Sequence, residues 1–103
     1  MAANYDEEKF LVQVGEAIGE EFEDDVIILE IIKDNYMIKM DEYSIILNKK
    51  MIHKLKGPSG PYRLDKFILE SFEDQGLIVN YTNSEYIRNV YGIVEDEEVS
   101  DLD

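Results

Sequence analysis

Val26-Ile27-Ile28-Leu29-Glu30-Ile31-Ile32-Lys33-Asp34-Asn35-Tyr36-Met37-Ile38-Lys39-Met40 is the stretch on which the fold turns. Its first eight residues are rich in Ile and Val, whose branched side chains suit a pleated surface. Asp34-Asn35 reads as a two-residue turn, and Tyr36 to Met40 returns with alternation, which together make a β-hairpin. A third strand over Tyr43 to Leu47 follows, so the middle of the chain reads as a small antiparallel sheet.

Helical patterns flank that sheet. Residues 4 to 22 carry an apolar stripe of Phe10, Leu11, Val14, Ala17, Ile18 and Phe22, with Asn4 as the expected N-cap and Glu7 three residues on, as in a capping box. Gly15 and Gly19 each cost about 1 kcal/mol relative to alanine inside a helix, which close approach to the sheet would explain. On the other side, Met51, Ile52 and Leu55 have helical spacing, and Asn48 to Lys56 reads as a short helix with a further strand as the alternative. Gly57-Pro58-Ser59-Gly60-Pro61 then breaks the chain. Leu64 to Gln75 reads as a helix with Leu64, Phe67, Ile68 and Phe72 on one face, closed by a Schellman motif with Gly76 at C′ and Leu77 against Phe72. Leu77 to Tyr81 reads as a strand. Ser84 to Val94 is either its hairpin partner or a short helix with Tyr86, Ile87, Val90 and Tyr91 inward. The expected fold is α+β: a mostly antiparallel sheet of three to five strands with two or three helices packed on one face. Residues 1–94 form the expected domain, and the acidic stretch Glu95 to Asp103 is expected to be a flexible tail.

The composition bounds the chemistry. Apolar residues make up 45% of the 103 and charged residues 33%, a balance that supports a globular core. With no cysteine, disulfides, zinc–thiolate sites, iron–sulfur clusters and thiol nucleophiles are excluded together. The acidic N-terminus lacks the basic residues of a signal peptide, and no apolar run approaches the roughly 18 residues of a spanning helix. The expected location is the cytoplasm.

Charge is the dominant feature: 24 acidic against 10 basic residues, a net −14. It is also uneven. Residues 1–25 hold nine acids and one base, residues 26–64 four acids and seven bases, and residues 65–103 eleven acids and two bases. A protein so acidic is repelled by phosphate backbones and anionic membranes, so direct nucleic-acid or membrane binding is not expected.

No catalytic set emerges. His53, the lone histidine, sits among Lys49, Lys50, Lys54 and Lys56, which disfavour its protonation and make it a poor general base; it reads as a surface residue. A metal site would have to be built from oxygen ligands, and the acidic runs lack the spacing and central glycine of an EF-hand loop. The Gly57–Pro61 loop has prolines where a phosphate cradle needs backbone donors. Neither catalytic residue, metal nor cofactor is therefore assigned. The basic run Lys49 to Lys56, with Arg63, is the best candidate for touching an anionic group, and it reads rather as an internal counterweight to the acidic helices or a contact for a second copy.

The acids themselves are the candidate site. Glu20, Glu21 and Glu23 fall at the end of the first helix and Glu73 and Asp74 at the end of the second long one, where the macrodipole disfavours negative charge by about 0.3–1 kcal/mol per exposed group. With Asp24 and Asp25 they form the expected partner-binding set. Seven tyrosines and no tryptophan suit a polar interface with aromatic anchors. The expected function is a non-enzymatic acidic protein that occupies a basic surface of a partner protein, one form of which is a nucleic-acid-mimicking inhibitor of the kind carried by phages and mobile elements. The alternatives are an antitoxin or immunity protein neutralising a basic toxin, and a self-associating structural or assembly subunit.

Overall fold

The computed structural model describes residues 2–56 and 61–93, with side chains from residue 7 onward. The order of elements is α1 (Ala2–Phe22), β1 (Val26–Ile32), β2 (Asn35–Met40), β3 (Tyr43–Asn48), α2 (Lys49–Lys56), α3 (Arg63–Asp74) and α4 (Glu85–Tyr91). The architecture is α+β, with a three-stranded antiparallel meander in the order β1-β2-β3. Among the described residues four helices accompany it, where two or three were expected. No helix among the described residues is long and apolar enough to cross a membrane.

The hairpin forms as its composition requires, with Ile28 opposite Ile38 and Leu29 opposite Met37. Its turn lies one residue earlier than expected. Lys33 and Asp34 make it, Asp34 takes the left-handed conformation (φ 66°), and Asn35 already pairs with Ile32. Aspartate tolerates that conformation because its short side chain bonds locally. Asp41 plays the same part (φ 56°) between β2 and β3.

The register sends Val26, Ile28, Tyr36, Ile38, Met40 and Leu47 to one face. There they meet Leu11, Val14 and Ile18 of α1, Ile52 of α2, and Leu64, Ile68 and Phe72 of α3 in one buried core. Gly15 and Gly19 permit the close approach of α1: a Cβ on Gly15 would lie 2.9 Å from Ile28 Cδ1, and one on Gly19 2.8 Å from the Asp24 carbonyl oxygen.

Three local expectations change. α1 begins at Ala2, which puts Asn4 inside the helix rather than at its cap, and Glu7 turns to another task. On α3, Phe67 is exposed and Leu69 takes the inward place, so the buried stripe is Leu64, Ile68, Leu69 and Phe72. Leu77 to Tyr81 is not a strand. The β3 edge it would join is occupied at Ser44 by the Gln75 side chain, and Val79 is buried from irregular backbone. Asn48 to Lys56 is the helix α2, with the Asn48 carboxamide accepting the Met51 N–H (2.8 Å) as N-cap. Ser84 likewise caps α4 through the Ile87 N–H (3.2 Å), so the described part of Ser84 to Val94 is a helix over Glu85–Tyr91 and not a hairpin strand, with Val94 outside the described residues. The expected tail, Glu95 to Asp103, lies outside the described residues, as do residues 57–60 of the loop.

Candidate functional site

α1 ends in a Schellman reversal. The Asp24 N–H donates to the Gly19 carbonyl (3.0 Å), and Glu23 sits at C′ in the left-handed conformation (φ 55°). Glycine normally fills that position, and a side chain there costs about 1–2 kcal/mol. The reversal drops the chain into β1 beside the helix it has just left. Between α1 and β1 this leaves an open groove of ≈ 750 Å³. Its apolar lining is Val12, Val26 and Ile28, and its carboxylates are Glu16, Glu20, Glu23, Asp24 and Asp25. Among the described residues none of these five acids forms a salt bridge.

Four of the seven acids singled out from the sequence, Glu20, Glu23, Asp24 and Asp25, therefore converge on one groove. The others do not join them. Glu21 accepts hydrogen bonds from Asn83 Nδ2 and Ser84 Oγ, both at 2.6 Å, and so ties α1 to the start of α4. Glu73 accepts from the hydroxyls of Tyr81 and Tyr91, the latter at 3.1 Å. That bond is the main reason the Tyr81 hydroxyl resists ionisation, whereas burial is the main reason for Tyr91. Asp74 is exposed at the last turn of α3 and does not line the groove. Glu16 was missed by sequence reasoning; its spacing of four from Glu20 was the available signal, since such residues share a helix face.

The sheet has a second unusual surface. Its outward positions include Ile27 (48% exposed), Leu29 (50%), Ile46 (57%) and Met37, and Lys39 is the one charged residue among them. A chain of net charge −14 thus keeps carboxylates off this face.

The two sheet edges are finished differently. At β3, the Gln75 carboxamide bonds the Ser44 backbone twice: Ser44 N–H donates to Oε1 (3.1 Å), and Nε2 donates to the Ser44 carbonyl (2.8 Å). The side chain thereby imitates a neighbouring strand. At β1, among the described residues, no backbone group bonds beyond the hairpin.

Two further clusters hold the helices together. Glu7 is 3% exposed and accepts from His53 Nδ1 (2.6 Å), with Lys56 Nζ at 3.6 Å. The His53 bond is the chief influence holding the Glu7 carboxyl below its ordinary value of 4.5, against the opposing effect of burial. Stability from this contact is therefore present above about pH 4.5 and lost as pH falls through the depressed value. Part of the basic run thus serves as the internal counterweight to α1, although the His53 ring itself is 74% exposed. Asp65 and Tyr86 form the second cluster, with the phenol donating at 2.5 Å. Burial raises the Asp65 carboxyl, which the Tyr86 bond partly offsets. Among the described residues, no group of three or more His, Asp or Glu could hold a metal ion.

No protein-family model, curated protein or solved structure matches this chain.

Proposed function

We propose that this chain is a non-enzymatic acidic binding protein of the cytoplasm whose α1–β1 groove takes a basic surface of a partner protein. The observation that carries the reading is the convergence of Glu16, Glu20, Glu23, Asp24 and Asp25, none of them in a salt bridge among the described residues, around one groove that Val12, Val26 and Ile28 also line. Carboxylates so placed raise the local concentration of a cationic partner and speed its association, an effect that salt screens over about 10 Å at 0.1 M. The apolar lining adds contact area that salt does not weaken. Competition with nucleic acid for the same partner is the narrower form of this reading.

The test is a comparison of the protein with its E20Q/E23Q/D24N/D25N variant in binding a lysine-rich peptide across a salt series. Loss of affinity of about tenfold near 0.05 M salt, with a flatter salt dependence and thermal unfolding at or above that of the parent protein, is expected. Equal affinity for the two proteins refutes the site. Displacement of a captured partner by duplex DNA separates nucleic-acid mimicry from the broader class.

The acid-free apolar face of the sheet favours a second reading, assembly through self-association. Sedimentation of the protein alone decides it, since a mass that rises with concentration is required.

A further inference from the structure

The free edge of β1 adjoins the acidic groove. Val26 and Ile28 of that edge strand line the groove, so an occupant of the groove lies beside β1. We infer that the occupant is an extended segment of a partner protein that adds to β1 as a fourth strand, with lysine or arginine alternating with aliphatic residues. This rests on the acidic-binder reading and specifies its partner.

Backbone, face and charge support it separately. An edge strand presents a row of unpaired N–H and C=O groups, and proteins usually blunt such an edge with charge, proline, a bulge or a cover. Here β3 has its cover in Gln75, whereas Val26 to Leu29 has neither charge nor proline. The bulge in β1 falls between Glu30 and Ile32, which leaves Val26 to Glu30 regular and able to pair. Five residues span about 16 Å, enough for one short added strand.

Side chains of an added strand alternate between two environments. On the groove side, Glu16 and Glu20 of α1 line the groove together with Val12 and Ile28. A lysine there can lay its alkyl stem on the apolar lining and carry its ammonium to the carboxylates. On the opposite side the neighbours are Ile27 and Leu29, both half exposed, which an aliphatic residue would extend. Alternation of cation and aliphatic is the pattern that satisfies both faces.

Charge selects this occupant over a second copy. Another molecule of this chain would bring the same five carboxylates and a further −14 to the groove. The chain's own residues 94–103 carry the sign of the rim. A basic segment neutralises it.

The experiment uses the full chain and a blocked peptide of about ten residues alternating lysine and valine, long enough to cover the regular part of β1. Two analogues carry N-methyl groups on alternate residues, one on the odd and one on the even positions, with charge unchanged. Affinities are read by calorimetry, and amide exchange of Val26 to Glu30 by NMR. The parent should bind and slow exchange in β1 at least about tenfold, and one methylated phase should lose about tenfold or more in affinity while the other keeps it, because one phase directs its N–H groups toward β1. Equal binding by the two phases, or protection elsewhere than β1, overturns strand addition and leaves the acidic-binder reading intact. No binding of the parent to the folded protein near 0.05 M salt overturns both. Protection of β1 that grows with protein concentration in the absence of peptide assigns the edge to a second copy and also overturns the proposal.

Discussion

The C-terminal ends of α1 and α3 close by the same hydrogen bond and differ in what they place at the turn. Asp24 N–H reaches back to Gly19 and Leu77 N–H to Phe72, each at 3.0 Å. At α3 the left-handed residue is Gly76 (φ 118°), and Leu77 after it packs against the core. At α1 it is Glu23 (φ 55°), followed by two exposed aspartates. The α3 end follows the rules of local stability: glycine where φ is positive, an apolar residue next. The α1 end breaks both rules, whereas negative charge at the wrong end of the helix dipole is common to the two, as Glu73 and Asp74 of α3 show. Departures from local consistency concentrate where a surface has another task. The better-behaved end is structural, and the strained end borders the groove.

Each helix end also contributes one carboxylate to the segment carrying α4, Glu21 to Asn83 and Ser84, and Glu73 to Tyr81 and Tyr91. Removing these should produce the largest effects. Glu73→Ala removes the acceptor of two phenol hydroxyls, that of the exposed Tyr81 and that of the half-buried Tyr91, and is expected to cost about 1.5–3 kcal/mol in urea unfolding. In Glu73→Gln, the ionisation of Tyr81 followed by ultraviolet absorbance should move back down toward its ordinary value of 10.0, since the Glu73 bond is the main cause of its elevation. A Glu73→Ala protein as stable as the parent would mean that these bonds are replaced by water without penalty.

How far the sequence discloses this arrangement depends on the reach of each signal. The α3 end was legible because every part of it lies within six residues, Phe72 to Leu77, and glycine is diagnostic there. The hairpin was legible for a similar reason, although the turn was displaced by one because Asp34 and Asn35 both tolerate positive φ. Which face of β1 points inward was not legible: Val26-Ile27-Ile28-Leu29 is apolar at every position, so alternation could not announce the exposed row of Ile27 and Leu29. Leu77 to Tyr81 has strand-like composition, but strand identity needs a free edge, and that of β3 is occupied at Ser44 by Gln75. Of the acids, those near the α1–β1 turn were found together because they are close in sequence. The roles of Glu21 and Glu73 depend on partners brought back by the fold, in the first case from 62 and 63 residues away. Glu7 looked like half of a capping box and instead meets His53, 46 residues on.

Gly76→Ala sharpens the comparison at the structural end. A Cβ there would meet only Tyr43 Cε1, at 4.0 Å, so space is available and the cost is conformational. A loss of about 1–2 kcal/mol is expected by thermal or urea unfolding, without change in peptide binding. A neutral result would show that the α3 turn relaxes out of positive φ when glycine is removed.

Glu23→Gly is the reciprocal change and the smallest in magnitude, but its sign carries the most information. It relieves a left-handed glutamate at C′ and removes one negative charge from the C-terminal end of α1, both stabilising. Against these stands the greater freedom that glycine gives the unfolded chain, so the net expectation is a gain of about 0.5–1 kcal/mol. The same substitution takes one carboxylate from the groove, and a lysine-rich peptide should bind about two- to threefold more weakly at low salt, a difference that fades as salt is raised. A more stable protein that binds less well would show that Glu23 is retained for its charge at the expense of the fold. Greater stability with unchanged binding would remove Glu23 from the site and leave Glu16, Glu20, Asp24 and Asp25 as its carboxylates. Lower stability would mean that the glutamate side chain supports the reversal itself, and the contrast between the two helix ends would then reflect two ways of building one turn rather than a division between structure and binding.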